Sequence, residues 1–238
     1  METIFPLDQP TTRWVSFQAL GFTKPAWGMI YRKDTPPTCG MPLGGIDTGC
    51  LDLESDGTLG FCTLFNSHVP RRGPLHLPFL GLNLGDRTWI LTTRSLKPVD
   101  AAYLQFEGSR VNFADEIEYW GHYPVVDLEY HTSAPVSVGV RAWAPFIPGD
   151  LQASNTPAAV FEAHLRNESG EAQNGSLVFS FPGPSEAEAG GFPMRRQQLG
   201  AESGVAGVLV EGRQASYVLG VIDGEQVQVG GALDADAN

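Results

Sequence analysis

The chain has few charges, few cysteines and no long apolar run, and each shortage excludes a class of protein. Only 18% of its 238 residues are charged, and the formal net charge is −12. Because an acidic surface repels phosphate backbones and anionic membranes, we expect no nucleic-acid partner. No apolar run approaches the roughly 18 residues that a membrane-spanning helix requires, so no transmembrane segment is predicted.

Targeting and metal-binding signals are also scarce. The N-terminus, METIFPLDQPTTRW, lacks the basic and apolar regions of a secretory signal, so we expect a cytoplasmic protein. The three cysteines, Cys39, Cys50 and Cys62, form no closely spaced pair of the kind that zinc sites use. We therefore predict reduced, structural thiols. The sequence predicts no metal site and no cofactor.

Glycine, proline and alternating apolar residues are abundant instead. The chain has 28 glycines and 18 prolines, and no segment shows a persuasive helical period. These features predict an all-β fold, mostly an antiparallel β-sandwich (of the supersandwich kind), with few or no helices. The predicted strands are 51–54, 58–65, 78–85, 88–93, 125–132, 136–147, 158–167, 175–181, 205–212, 215–223 and 226–231.

Three short segments carry more specific expectations. Asp56-Gly57 predicts the tip of a hairpin, and Asp86-Arg87 predicts a second turn. The nearest helix candidate is 112–120, with one or two turns. The stretch PGPSEAEAGGFP, 182–193, reads as a long mobile loop.

The stretch MPLGGIDTGC, residues 41–50, raises the question of a ligand-binding loop. A phosphate-binding loop needs a lysine after its last glycine, yet residues 34–96 contain no lysine. A dinucleotide fingerprint needs a strand before it and a helix after it, and neither is predicted here. The simplest interpretation is that the glycines supply positive φ angles and close backbone approach where the chain enters its first hairpin.

Two blocks of sequence carry a resemblance to a known family. MPLGGIDTGCLDLESDGTLGFCTLFN is similar to the opening motif of glycoside hydrolase family 116, which contains the bile-acid β-glucosidases, or non-lysosomal glucosylceramidases. YPVVDLEYHTSAPVSVGVRAWAPFIPGDLQASNTPAAVFEAHLRN resembles a second block of that family. The resemblance covers about residues 39–181. The family commonly has glycine where this chain has Asp47.

The resemblance implies a division of labour. Such enzymes join an N-terminal β-sandwich to a larger (α/α)₆ barrel, which holds the catalytic glutamate and aspartate. This chain ends at Asn238, before such a barrel, so we expect no catalytic residue and no activity of the chain alone. We expect an irregular lead-in, 1–38, and a sandwich domain, 39–238. The expected partner is a helical catalytic domain, in the same polypeptide or separate, which acts on a β-glucoside.

The residues predicted to contact that domain, or to rim its sugar site, fall into three groups. The first is the glycine-rich loop, the second is a dense basic spot, and the third is a tryptophan beside the acids Asp115, Glu116 and Glu118. Those acids, like Asp127 and Glu129, read more simply as solvated or cross-strand contacts than as a catalytic pair. The candidate residues are Gly44, Gly45, Asp47, Thr48, Gly49, His68, Arg71, Arg72 and Trp120.

Two other functions remain open. A stand-alone carbohydrate-binding module would use Trp89, Trp120 or Trp143 as a stacking platform. A structural or assembly protein would reuse the sandwich without a ligand. Unpaired sheet edges would also allow a homo-oligomer.

Overall fold

A computed structural model describes residues 14–18, 23–64, 75–94, 110–181, 183–200, 202, 204–224 and 226–230. Strands dominate this part of the chain, and its two helices have one turn each, which confirms the all-β, sandwich-like fold. The strands are β1 (Trp14–Phe17), β2 (Ala26–Met29), β3 (Met41–Leu43), β4 (Cys50–Leu53), β5 (Thr58–Thr63), β6 (Leu77–Pro78), β7 (Leu80–Leu84), β8 (Arg87–Ile90), β9 (Arg110–Phe113), β10 (Glu116–His122), β11 (Val125–His131), β12 (Val136–Trp143), β13 (Val160–Asn167), β14 (Gly175–Phe179), β15 (Arg195–Leu199), β16 (Val205–Glu211) and β17 (Ser216–Ile222). The helices are α1 (Leu151–Ser154) and α2 (Glu186–Ala189).

Three four-stranded sheets build the sandwich. Their strand orders are β3-β4-β5-β6, β14-β7-β8-β9 and β10-β11-β12-β13. All of their pairings are antiparallel except β8 with β9, which is parallel. A three-stranded sheet, β15-β16-β17, and the pair β1-β2 complete the described strands.

The hydrophobic core lies between the β10–β13 sheet and the other two four-stranded sheets. Residues at alternate positions of β12 point inward and are buried: Val136, Val138, Val140 and Ala142. Trp89 of β8 is fully buried among them and donates from Nε1 to Ser133 Oγ, 3.2 Å away. The other face of β10–β13 therefore points away from the core.

The Asp56-Gly57 hairpin is confirmed, and the core holds it firmly. It joins β4 to β5, and the Asp56 carbonyl accepts from Thr92 Oγ1 at 2.6 Å and from the Thr93 amide at 3.1 Å. The second predicted turn is shifted by one residue, because Arg87 already pairs with Leu84 in the β7–β8 ladder. The turn is Gly85-Asp86, and Gly85 has a φ of 61°.

The helix predicted over 112–120 is wrong. β9 and β10 occupy this segment, with Ile117 and Tyr119 buried while Glu116, Glu118 and Trp120 alternate on the opposite face. The segment is a strand because Ile117 and Tyr119, two residues apart, are both buried on one face of the sheet. This burial favours a strand more strongly than the neighbouring acids favour a helix.

Two corrections concern the C-terminal half. The predicted mobile loop, 182–193, contains α2, which begins at a capping box between Ser185 and Glu188. β15 lies outside all predicted strands, and residues 226–230 of the predicted strand 226–231 form no strand. Strands β13 and β14, although consecutive, belong to different sheets.

Candidate functional site

The glycine-rich loop, residues 44–49, connects β3 to β4 as a hairpin loop. Gly44 and Gly49 close its base, since a Cβ on Gly44 would lie 2.3 Å from the Gly49 carbonyl oxygen. Asp47 adopts a φ of 57°, a left-handed conformation that aspartate tolerates better than most residues. Thr48 donates from its amide and from Oγ1 to the Gly45 carbonyl, at 3.2 and 2.8 Å. Thr48 thus closes the loop on the Gly45 carbonyl just before the chain enters β4.

The loop is docked on a second segment, 147–156, about a hundred residues further along the chain. The Ile46 amide donates to the Ser154 carbonyl at 2.8 Å. A Cβ on Gly45 would lie 2.4 Å from the Thr156 carbonyl oxygen, so the two backbones touch at this glycine. Both segments belong to the blocks that carry the family resemblance, and the fold brings these blocks together.

The second segment is internally rigid. Asp150 caps α1 by accepting from the Ala153 amide at 2.9 Å. Ser154, which is buried, accepts at Oγ from the Ile147 amide at 2.9 Å and donates to the Ile147 carbonyl at 3.1 Å. The helix turn is therefore held against the chain that enters it, and the glycine-rich loop rests on a fixed support.

Exposed apolar side chains occur in the two segments of this junction, on Phe146 just before the second segment, and on Tyr123, which contacts Phe146. They are 40% to 73% exposed, and the rings of Tyr123 and Phe146 meet edge to face with centroids 5.5 Å apart. Large apolar side chains grouped on a surface mark contact sites for other molecules. We call this group the apolar patch: Ile46, Tyr123, Phe146, Ile147 and Leu151.

Trp120 is held by a different element from the loop. It lies in β10 on the outward face of the β10–β13 sheet, where Nε1 donates to Asp127 Oδ2 at 3.1 Å. Trp89, one of the three proposed stacking platforms, is fully buried and presents no face to a ligand. The predicted basic spot, His68, Arg71 and Arg72, lies outside the described residues.

Two of the acids near Trp120, Glu116 and Glu118, form salt bridges. Arg32 donates from Nε to Glu118 Oε1 at 2.9 Å and also pairs with Glu116 at 3.9 Å. The described lining of a nearby depression of about 300 Å³ consists of Lys33, Asp34, Asp115 and Glu116, with no aromatic side chain. The two glutamates therefore hold Arg32 against β10. The neighbouring Tyr31 forms a β-bridge with Tyr119 of the same strand.

The three cysteines lie at different depths in the fold. Cys62 is buried, Cys50 half-buried and Cys39 exposed, and all three are reduced thiols. Within the described ranges, no group of three or more histidine, cysteine, aspartate or glutamate side chains is arranged to hold a metal ion. Neither described helix is long and apolar enough to cross a membrane.

The sequence signal for the apolar patch is the stretch APFIPGD, residues 144–150. It is rich in proline and apolar residues but lacks the apolar–polar alternation of a strand. The sequence predicts the start of this stretch as the end of a long strand, 136–147, whereas β12 ends at Trp143. Beyond the strand, Phe146 and Ile147 are exposed and belong to the patch.

Comparison with known proteins identifies the family of the chain. No curated protein matches the chain. Residues 40–228 match the family model described as "beta-glucosidase 2, glycosyl-hydrolase family 116 N-term". The matched range extends well beyond residues 39–181, which carry the sequence resemblance. The chain therefore belongs to the N-terminal domain family of glycoside hydrolase family 116.

Proposed function

We propose that this chain is the non-catalytic N-terminal domain of a β-glucosidase-like or glucosylceramidase-like glycoside hydrolase, and that it supports a helical catalytic domain through the apolar patch. The observation that carries this proposal is the junction of the glycine-rich loop with segment 147–156. Both sequence blocks typical of the family meet there, and they leave their apolar side chains exposed.

The chemistry of the patch favours a protein partner. Leu151 and Tyr123 are 73% and 56% exposed, and burying such side chains contributes about 25 cal/mol per Å² of apolar area. An N-terminal glycosyl-hydrolase domain implies a catalytic partner domain, which is the natural occupant of the patch. The rigid support beneath Ile46 means that little conformational entropy is lost when the partner docks.

The carboxylates of the described residues support a non-catalytic role. Retaining glycosidases place two unencumbered carboxyls about 5–5.5 Å apart. Glu116 and Glu118 share Arg32 instead, and Asp127 is bound by Arg141. Bond cleavage is accordingly assigned to the partner, and the β-glucoside held by the partner meets this chain at the rim formed by the loop, beside Asp47. His68, Arg71 and Arg72 remain candidates for the same contact, and the expected location remains cytoplasmic.

The test uses the purified chain together with the helical domain of a family 116 β-glucosidase produced separately. Calorimetry measures their association, and release of nitrophenol from a nitrophenyl β-glucoside measures activity. We expect the chain alone to be inactive and to bind the helical domain. Leu151→Asp and Ile46→Asp should weaken that binding at least tenfold, because each places a charge in an apolar contact.

Val218→Asp is the matched control, since Val218 is 54% exposed on β17, which belongs to a sheet that contributes no patch residue. Equal binding by all three variants would overturn the docking surface. Hydrolysis by the chain alone, lost on Asp115→Asn or Glu116→Gln, would overturn the non-catalytic role.

A further inference from the structure

A glycine in the middle of the β10–β13 sheet has no structural explanation within the sheet. Gly139 lies on β12 in an uninterrupted register, opposite Glu129 on β11 and His164 on β13. Its φ is not positive, and an added Cβ would meet only the Leu128 carbonyl oxygen, at an ordinary 3.7 Å. A turn, a bulge and a tight backbone contact are thus excluded as reasons for glycine. Glycine inside a strand weakens it, and it often marks a place where a ligand comes close to the backbone.

Gly139 faces outward, so its missing side chain leaves a gap in the surface. Residues of β12 alternate, with Val138 and Val140 buried in the core, and Gly139 lies on the opposite face. The flanking side chains of Glu129 and His164 are exposed. Since neighbouring strands lie about 4.8 Å apart, the gap between these two side chains is about 10 Å wide at the backbone.

One wall of the gap is an ordered polar row. Arg141, two residues along from Gly139, donates from Nε and Nη2 to Asp127 Oδ1 and Oδ2 at 2.7 and 2.8 Å. Asp127 also accepts from Trp120 Nε1, so the indole is fixed at the end of the row. Along the strand on the other side, Ser137 Oγ donates to Glu168 at 3.0 Å. The gap therefore lies between a largely buried ion pair at one end and the Ser137–Glu168 hydrogen bond at the other, with the Trp120 indole two strands away on the same face.

We propose that the gap over Gly139 binds an uncharged saccharide. Hydroxyl groups pair well with the carboxylate of Glu129 and the imidazole of His164, while an indole such as Trp120 suits the apolar face of a sugar ring. An anionic ligand would be repelled by Glu129 and by Glu162, which pairs with Arg141 in the sheet register. A protein partner is disfavoured, because interface centres are depleted of charged residues. This site is separate from the apolar patch and does not depend on the proposed docking.

A second strand glycine gives a matched control. Gly81 on β7 also has a φ that is not positive, and a Cβ there would meet only the Trp89 carbonyl oxygen, at 3.5 Å. Its cross-strand neighbours, Ile90 and Val178, carry no hydrogen-bonding side chain. Gly81 thus shares the steric situation of Gly139 without its polar surroundings.

The experiment titrates the chain with cellotetraose, laminaritetraose and maltotetraose by calorimetry, with a hyaluronan tetrasaccharide as the charged comparison. We expect saturable binding of at least one uncharged tetrasaccharide and weaker binding of hyaluronan. Gly139→Val fills the gap and should weaken binding at least tenfold, whereas Gly81→Val should leave it within about twofold. Thermal unfolding of both variants, and of the smaller change Gly139→Ala, establishes that the sheet is intact.

Several results would overturn the proposal. These are the absence of saturable binding to all three uncharged probes, binding unchanged in Gly139→Val, and equal loss in the two valine variants. Weaker association of Gly139→Val with the helical domain, without any saccharide effect, would identify the face as an interdomain surface instead. The apolar-patch variants report separately on the proposed function.

Discussion

Arg141 and Asp127 form a two-point ion pair across β12 and β11 on the outward face of their sheet. Nε meets Oδ1 at 2.7 Å and Nη2 meets Oδ2 at 2.8 Å, and the two side chains are only 11% and 12% exposed. The pKa of Arg141 is raised, first by this hydrogen bonding, although burial opposes the shift. Trp120 donates to the same carboxylate, so three strands are joined through Asp127.

The first prediction concerns the loss of one partner of this pair. Asp127→Ala leaves the Arg141 charge desolvated without its acceptor, and we expect a loss of about 3–5 kcal/mol in the free energy of unfolding. Urea denaturation measures it. A double-mutant cycle with Arg141→Ala should show a large coupling energy, and additive single effects would contradict the prediction. The exposed pair Arg166 and Glu168 provides the control, because removing it should leave stability nearly unchanged.

The second prediction separates backbone conformation from crowding at two hairpin glycines. Gly57 and Gly85 have φ angles of 78° and 61°, so alanine is strained at both. A Cβ at Gly57 would also lie 2.4 Å from the Leu91 carbonyl oxygen, whereas nothing lies within 4 Å of one at Gly85. We expect Gly85→Ala to cost about 1–2 kcal/mol and Gly57→Ala about 1–3 kcal/mol more. Equal losses in chemical denaturation would show that the buried turn relaxes freely.

These cases show what the sequence could and could not predict. The turn at Asp56-Gly57 was predictable because an Asp-Gly pair between alternating strands acts locally. The contact of Ile46 with Ser154 was not, because it joins two backbone groups that no side-chain pattern reports. The helix expected over 112–120 failed because nearby acids drew more weight than the alternation of Ile117 and Tyr119.

Only the part of the candidate site that depends on local sequence could be predicted. The residues of loop 44–49 were identified, since their glycines and Asp47 form a local pattern. The apolar patch was missed because Tyr123 and Leu151 come from segments that approach the loop only in the folded chain. Gly139 was missed because a strand glycine gains meaning only when its register and neighbours are known.

The third prediction concerns the pH dependence of stability at Glu54. Burial raises the pKa of this carboxyl above its usual range, Asp52 and Asp56 add to the shift, and Arg94 opposes it. Because the folded-state pKa lies above the unfolded one, the contribution of Glu54 to stability is complete below the unfolded pKa, about 4.3. It is lost as the pH rises through the folded pKa. Glu54→Gln should therefore gain stability relative to the wild-type chain as the pH rises above about 4.

Two measurements check this expectation. Urea denaturation at a series of pH values gives the difference between the variant and the wild-type chain. An NMR titration of the Glu54 side-chain carboxyl carbon gives its pKa directly. A midpoint at or below the ordinary glutamate value, or a stability difference that does not change with pH, would contradict the prediction.

The fourth prediction tests the junction beneath the apolar patch. Gly45 has no positive φ, yet a Cβ there would lie 2.4 Å from the Thr156 carbonyl oxygen, so Gly45→Ala must push the loop away from segment 147–156. We expect a loss of about 1–3 kcal/mol in the free energy of unfolding and faster hydrogen exchange at the Ile46 amide, which donates to Ser154. Gly170→Ala is the matched control, because its φ is not positive and nothing lies within 4 Å of an added Cβ. If the Ile46 amide kept its protection in Gly45→Ala, the loop would not depend on this contact. The exposed apolar side chains around it would then lack the rigid support that favours docking.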